Sequence, residues 1–310
     1  MAYQLTEINE RASRDPLDFV LDCDDAYNKK LHRAADRIRE HAAVSPVVLL
    51  SGPSGSGKTT TALKLEEMIR QTGVSTHAVA LDNYFRSVLP GQYPQTADGS
   101  YDFESPDCLD MELLSEHFDA LAHGNPIEVP NYSFQTQRQE RHTGNILRIR
   151  PGDLVIFEGI HALNDTFSAI APDALRLYIS ARSVVEDTAG ETVFKGTWMR
   201  LCRRLVRDHQ FRNTGPEETM KMWANVRRGE KHYISPYKNK ADILFDSSLM
   251  CEVSVMRPFV EPLFQSVPEG TERYAELRSI LPALNAFVPI DQSLVPKDCL
   301  LREFIGGGIY

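Results

Sequence analysis

Several things are scarce in this 310-residue chain, and each scarcity excludes something. No apolar run approaches the length of a membrane span, and the N-terminus lacks the basic and apolar regions of a signal peptide. A cytoplasmic protein with no membrane partner is therefore expected. Cysteine occurs only at positions 23, 108, 202, 251 and 299, with no C-x-x-C pair. That scatter fits reduced thiols and neither a zinc site nor a disulfide framework. Positive charge is in deficit: 34 Lys and Arg against 43 Asp and Glu leave a formal charge of −9. A general nucleic-acid binder would be basic, so no direct nucleic-acid partner is expected. Internal repeats and low-complexity tracts are absent. The length allows one large α/β domain with additions, or two domains.

What is present is organised around Gly52-Pro-Ser-Gly-Ser-Gly-Lys-Thr59, which fits the phosphate-cradling pattern G-x-x-x-x-G-K-[ST]. Val47 to Leu50 before it suits a buried parallel strand. Ala62, Leu65, Met68 and Ile69 after it recur at helical spacing. Glycines at 52, 55 and 57 let backbone N–H groups turn inward onto phosphate oxygens, and the new helix adds its positive end. The expected nucleotide-binding residues are Gly52, Ser54, Gly55, Ser56, Gly57, Lys58, Thr59 and Thr60. Lys58 would reach the β and γ phosphates of a nucleoside triphosphate, and the Thr59 hydroxyl would take one place on Mg²⁺.

Two acids follow apolar strands. Thr76 to Leu81 ends in Asp82, and Leu154 to Phe157 ends in Glu158. Carboxylates at the carboxyl ends of parallel strands stand beside bound ligands. Asp82 either accepts a proton from an attacking hydroxyl and helps organise Mg²⁺, or caps the turn after its strand. Glu158 suits a Walker B position, holding Mg²⁺ or its water. For His161 a structural role is expected. The loop from Arg86 to Asp110 mixes aromatics with acids, as a sugar-binding wall would, or is a solvated acidic loop. A β-ribbon is expected over 127–149, with a polar, basic run from Gln137 to His142. Residues 182–197 read as polar and mobile. Arginines at 200, 203, 204, 207 and 212 on one helical stretch fit a lid over phosphates, or a solvated face. Everything through Asp25 reads as a polar lead-in. Apolar positions near the C-terminus either close the core or form a dimer interface, leaving a homo-oligomer open. The run Asn239-Lys-Ala-Asp242 precedes a strand, where the guanine-reading motif follows one, and is taken as coincidence. No chemistry suggests itself for Leu301 to Gly308.

Taken together, Gly52 to Thr59, Leu81-Asp-Asn-Tyr84, Asp102-Phe-Glu-Ser-Pro106, Pro130-Asn-Tyr-Ser-Phe134, Phe157-Glu-Gly-Ile160 and Arg203-Arg-Leu-Val-Arg-Asp208 resemble the uridine kinase and phosphoribulokinase family, from about Val47 to Phe245. Trp223, Arg228-Gly-Glu230 and the tail are similar to bacterial uridine-kinase-like proteins that often carry a TGS-type domain, of which there is no sign here. The resemblance implies an α/β P-loop fold with an NMP-kinase-like parallel sheet and Mg²⁺- and ATP-dependent phosphorylation of a small-molecule acceptor, a nucleoside 5′-hydroxyl. It implies Asp82 as general base, Thr59, Glu158 and Asp82 around Mg²⁺, and Lys58, Arg207 and Arg212 on the moving phosphoryl group. Tyr84, Glu104, Tyr132, Gln137 and Arg204 would meet the acceptor. Two departures stand out: Gln137 replaces a base-reading histidine, and Lys221 falls where a glutamine is expected. Alternatives are a sugar-phosphate kinase, with Gln137, Arg138 and Arg141 reading an anion, and a non-catalytic ATP-binding regulatory or RNA-associated module. The expected divisions are a lead-in and helix over 1–45, a kinase domain over 46–248 with a lid at about 198–230, and a helical extension over 249–310.

Overall fold

The computed structural model describes residues 2–97 and 99–310. Its centre is a five-stranded parallel sheet made of β1 (Val47–Ser51), β2 (Thr76–Ala80), β3 (Leu154–Glu158), β4 (Leu175–Ser180) and β5 (Ile243–Asp246), in the order β5–β4–β1–β3–β2. A parallel sheet is covered on both faces, so its strands read as continuous apolar runs. In β3 all five residues are buried. Side chains alternate between two cores: Val48, Leu50 and Ile156 join one cluster, while Leu49, Val155 and Phe157 join the other. Register places Leu50 beside Glu158 and Ala80 beside Glu158, so the carboxyl ends of β1, β2 and β3 finish at one edge.

The N-terminal segment is not a polar lead-in. It forms α1 (Leu5–Arg14) and α2 (Pro16–His41), the latter starting earlier than the sequence pattern suggested. Phe19, Cys23, Tyr27 and Leu31 recur every four residues among acids and are all buried in the core shared with the helix after the glycine loop and with the C-terminal helices. Their neighbours hide the stripe from a composition-based reading. Ala2–Gln4 runs parallel to Val184–Glu186, which in turn pairs antiparallel with Thr192–Phe194. The stretch 182–197 is therefore ordered by pairing, where mobility was expected.

The Gly52–Thr59 loop leads into α3 (Lys58–Arg70), and α4 (Met111–Ala122) starts at Asp110, whose carboxylate accepts from the Leu113 amide. The expected ribbon is present: Ile127–Glu128 pairs with Ile146–Leu147, and Asn131–Ser133 pairs with Arg138–Glu140. Two helices follow, α5 (Gly196–Phe211) and α6 (Pro216–Gly229). Beyond β5 come α7 (Glu252–Gln265), α8 (Tyr274–Asn285) and the single turn α9 (Arg302–Ile305). Phe264, Leu277, Ile280 and Leu284 share a core with α2 and α5, so these C-terminal apolar residues close the core.

Candidate active site

The glycine loop is held by close approaches that only glycine permits. A Cβ on Gly52 would lie 2.0 Å from the Ile179 carbonyl oxygen of β4, and one on Gly57, at φ +82°, 2.7 Å from Leu300. Lys58 and Thr59 open the helix after this loop, so both side chains start at its positive end. The Thr59 hydroxyl donates to Glu158 Oε1 at 2.8 Å. Burial lowers the Lys58 pKa, opposed by the charges of Glu158 and Asp82. Burial also raises Glu158 to about 7, with Lys58 pulling the other way. Asp82 lies two residues beyond Ala80, the β2 residue paired with Glu158. Lysine, hydroxyl and two carboxylates therefore meet at one sheet edge.

Side chains from eight stretches of the chain line a cleft of about 890 Å³ above that edge. Of the sequence-derived residues, Ser54, Gly55, Gly57, Lys58, Thr59, Asp82, Glu104, Tyr132, Gln137, Glu158, Arg204, Arg207 and Arg212 line it. Gly52, Ser56 and Thr60 do not: each is buried against the sheet or within α3. Tyr84 is also misplaced by the sequence reading. It is fully buried and does not line the cleft, with its hydroxyl 2.9 Å from His117 Nδ1. Lys221 points outward and pairs with Glu217, while Asn225, a turn later on α6, reaches the cleft.

The arginines of α5 divide by helix face. Arg200 and Arg203 point into the protein; Arg203 pairs with Glu252, both fully buried, and donates to the Gly55 carbonyl at 3.2 Å. Arg200 donates to the Ser54 carbonyl at 3.3 Å. These two brace the phosphate loop from behind. Arg204, Arg207 and Arg212 face the cleft and converge on Asp208, at 3.1, 2.6 and 3.7 Å. Burial brings Arg212 down to about 10, with Arg207 adding like-charge repulsion. All three share Asp208 as their ion-pair partner.

Opposite the phosphate loop the walls are aromatic. Phe85, Tyr132 and Phe134 form one edge-to-face group with centroids 5.2–6.2 Å apart, and Tyr93, Tyr101 and Phe103 form another at 5.5–6.0 Å. Phe103, Phe134 and Phe211 stay substantially exposed at its mouth. Glu104 projects between these walls and the arginines; burial raises its pKa to about 7, with Arg204 opposing. Asp102, two residues earlier, faces away and accepts from Arg228 at 2.7 Å and Tyr233 at 3.4 Å. Gln137 sits at φ +54° and lines the cleft. Arg141 pairs with Asp110 at 2.5 Å, and neither it nor Arg138 lines the cleft. His161 is buried beside Tyr233, and burial lowers its pKa to about 4.

One cleft residue had no signal in the sequence. Glu303, on the one-turn α9, lines the cleft with Oε2 buried and unpartnered among the described residues. Its neighbour Leu300 seals Gly57, and Phe304 lies 5.0 Å beneath the Arg203 guanidinium. The tail for which no chemistry was evident thus closes one side of the phosphate loop. Only the fold could bring it there, some 245 residues from the loop in sequence.

A glycine loop between a central parallel strand and its helix, in a five-stranded sheet of this order, defines a P-loop fold of the kinase type. The chain matches the Phosphoribulokinase / Uridine kinase family over residues 47–254 and belongs to that family, which places it among kinases. It is 31% identical over 211 residues to a uridine kinase from Deinococcus deserti, covering 67% of this chain and 91% of that protein. A uridine kinase from Halobacterium salinarum is 32% identical over 63% of this chain and 77% of its own length. A uridine-cytidine kinase 2-B from Danio rerio is 26% identical, over 66% and 74%.

Proposed function

We propose that this protein transfers the γ-phosphoryl group of ATP to the 5′-hydroxyl of a ribonucleoside. The observation that carries this reading is the single cleft joining Lys58 and Thr59 at one end to two aromatic walls at the other, with Asp82 and Glu104 between. Flat aromatic walls suit a nucleobase, and a carboxylate among them suits ribose hydroxyls. The Thr59 hydroxyl and the Glu158 carboxylate are adjacent hard oxygen donors, the kind that hold Mg²⁺ alongside substrate phosphates. Bound there, the ion would neutralise charge on the β and γ phosphates.

The chain's own residues account for the remaining steps. Lys58 and the loop amides hold the triphosphate. Asp82 takes the proton of the 5′-hydroxyl as its oxygen bonds to the γ-phosphorus, while the β–γ bridging P–O bond breaks and ADP leaves with the electron pair. Arg204, Arg207 and Arg212 stabilise charge on the moving group. Because Arg138 and Arg141 stay out of the cleft, the acceptor end has little to recognise a phosphate, which favours a neutral acceptor over a sugar phosphate. All five cysteines are free and buried, in keeping with a reducing cytoplasm.

The test is turnover of Mg²⁺-ATP with a panel of nucleosides and sugar phosphates, products identified by mass. A nucleoside monophosphate is the expected product; phosphorylation of sugar phosphates alone would overturn the acceptor. In the same assay Asp82→Asn should lose about 10²–10⁴ in kcat with ATP binding retained. Turnover at the parent rate would remove Asp82 from the chemistry.

A further inference from the structure

The C-terminal turn of α6 carries Arg227 and Arg228, and the helix then loosens into a π-helical turn over Glu230–Ile234. Single π-helical turns interrupting α-helices gather at functional sites. Here the widened turn helps shape a second cleft, of about 560 Å³, outside the active site. Its wall presents Arg227, Arg228, Lys231, His232 and Arg273, with Glu230 as the acid among them. On a chain of charge −9 so cationic a hollow is a local exception.

The guanidinium groups there are held in place. Arg273 opens α8 from the left-handed region, at φ +62°, an arrangement unfavourable for a non-glycine residue. Glu276 anchors its head, Glu230 anchors Arg227, and Asp102 anchors Arg228 at 2.7 Å. The Nε of Arg228 is buried and unpartnered, and Lys231 has no ion-pair partner, both among the described residues. The free ammonium of Lys231, and the guanidinium edges that those carboxylates leave open, are what the hollow offers the oxygens of a multiply charged phosphate.

The hollow is also wired to the active site. The Arg228 anchor, Asp102, sits two residues before Glu104, and a Cβ on Gly229 would lie 2.2 Å from Glu104 Cβ. On the other side Glu230 also holds Arg200 at 2.6 Å, and Arg200 reaches the Ser54 carbonyl of the phosphate loop. We propose that this hollow is a second anion site, which binds the pyrophosphate group of a metabolite, free or carried on a nucleotide, and draws Arg228 from Asp102 as it does so. The site is separate from the transfer reaction and stands whatever the acceptor proves to be.

Calorimetric titration of the full chain with inorganic pyrophosphate, without magnesium, tests it. Lys58→Ala weakens the phosphate loop, and in that background one binding event should remain. Adding Lys231→Glu and Arg273→Asn should weaken that event at least about tenfold, as expected for loss of charged contacts; asparagine tolerates the backbone conformation of Arg273. Should the triple variant not fold, Lys58→Ala/Lys231→Ala provides the milder comparison, with about threefold weakening expected. ADP in place of pyrophosphate separates the sources: tighter binding at this site assigns a nucleotide, equal binding the free group. Hydrogen exchange over Tyr101 to Asp107 should quicken when pyrophosphate binds Lys58→Ala. No remaining binding in Lys58→Ala, binding indifferent to Lys231 and Arg273, or unaltered exchange would each overturn the proposal.

Discussion

Glu158 shows how one side chain can do opposite things for stability and for ligand binding. Its pKa is raised to about 7 from an ordinary 4.5, by burial first. A carboxyl group with a raised folded-state pKa contributes stability that is full below pH 4.5 and is lost as pH rises through 7. The ligand-free protein should therefore melt at a lower temperature at pH 8 than at pH 6, and Glu158→Gln should flatten that dependence. Magnesium needs the ionised form, so its affinity in the ATP complex should rise across the same interval. Titration of Mg²⁺ at pH 6 and pH 8 checks this; equal affinities would take Glu158 off the metal. Glu104 has a similarly raised pKa, and its part in the melting curve is separated by Glu104→Gln. Both acids were legible as candidates because each follows a recognisable pattern. Glu303 was not, since an acid in a short C-terminal turn carries no local sign of what it faces.

Among the elements, α6 supplies Met222, Asn225 and Val226 to the cleft and backs Glu104. Its last residue, Gly229, is a poor helix former, and Gly229→Ala would gain about 1 kcal/mol of helix propensity. The added Cβ, however, would fall 2.2 Å from Glu104 Cβ, and such overpacking costs about 1–3 kcal/mol. The clash should win. We expect Gly229→Ala to raise the acceptor KM about tenfold or more, with the affinity for ATP little altered, as read by steady-state kinetics and nucleotide titration. Undisturbed acceptor kinetics would mean that Glu104 is not held by this contact. In α5 the sequence shows the arginines but not their division. The helix is buried on both sides of the Arg204 stripe, so one face braces the loop and the other lines the cleft.

At the scale of the whole molecule, the buried pair Arg203–Glu252 joins α5, the phosphate loop and α7. Removing one partner of such a pair strands a charge in a dry interior, at a cost of about 3–5 kcal/mol. Glu252→Gln should show that loss in urea unfolding, although Glu252 does not line the cleft. A loss under 1 kcal/mol would mean that the interior tolerates the lone guanidinium. The same join explains why residues after β5 belong with the sheet: α7 and α8 supply part of its covering core, and α9 closes the loop.

By itself the sequence determined the phosphate loop, the strand and helix on either side, the acids at the ends of β2 and β3, and the family these patterns resemble. Those features are local: a glycine spacing or an apolar run carries its physical reason within a few residues. Tertiary structure alone decided that Tyr84 turns away, that Arg200 and Arg203 brace while Arg204, Arg207 and Arg212 face the cleft, and that Glu303 arrives beside Lys58. It also decided that the N-terminal segment is helical, since its sparse apolar stripe gains stability only by burial against α3 and the C-terminal helices. Each of these depends on which surface a side chain meets after the chain has closed on itself, and that partner lies tens or hundreds of residues away.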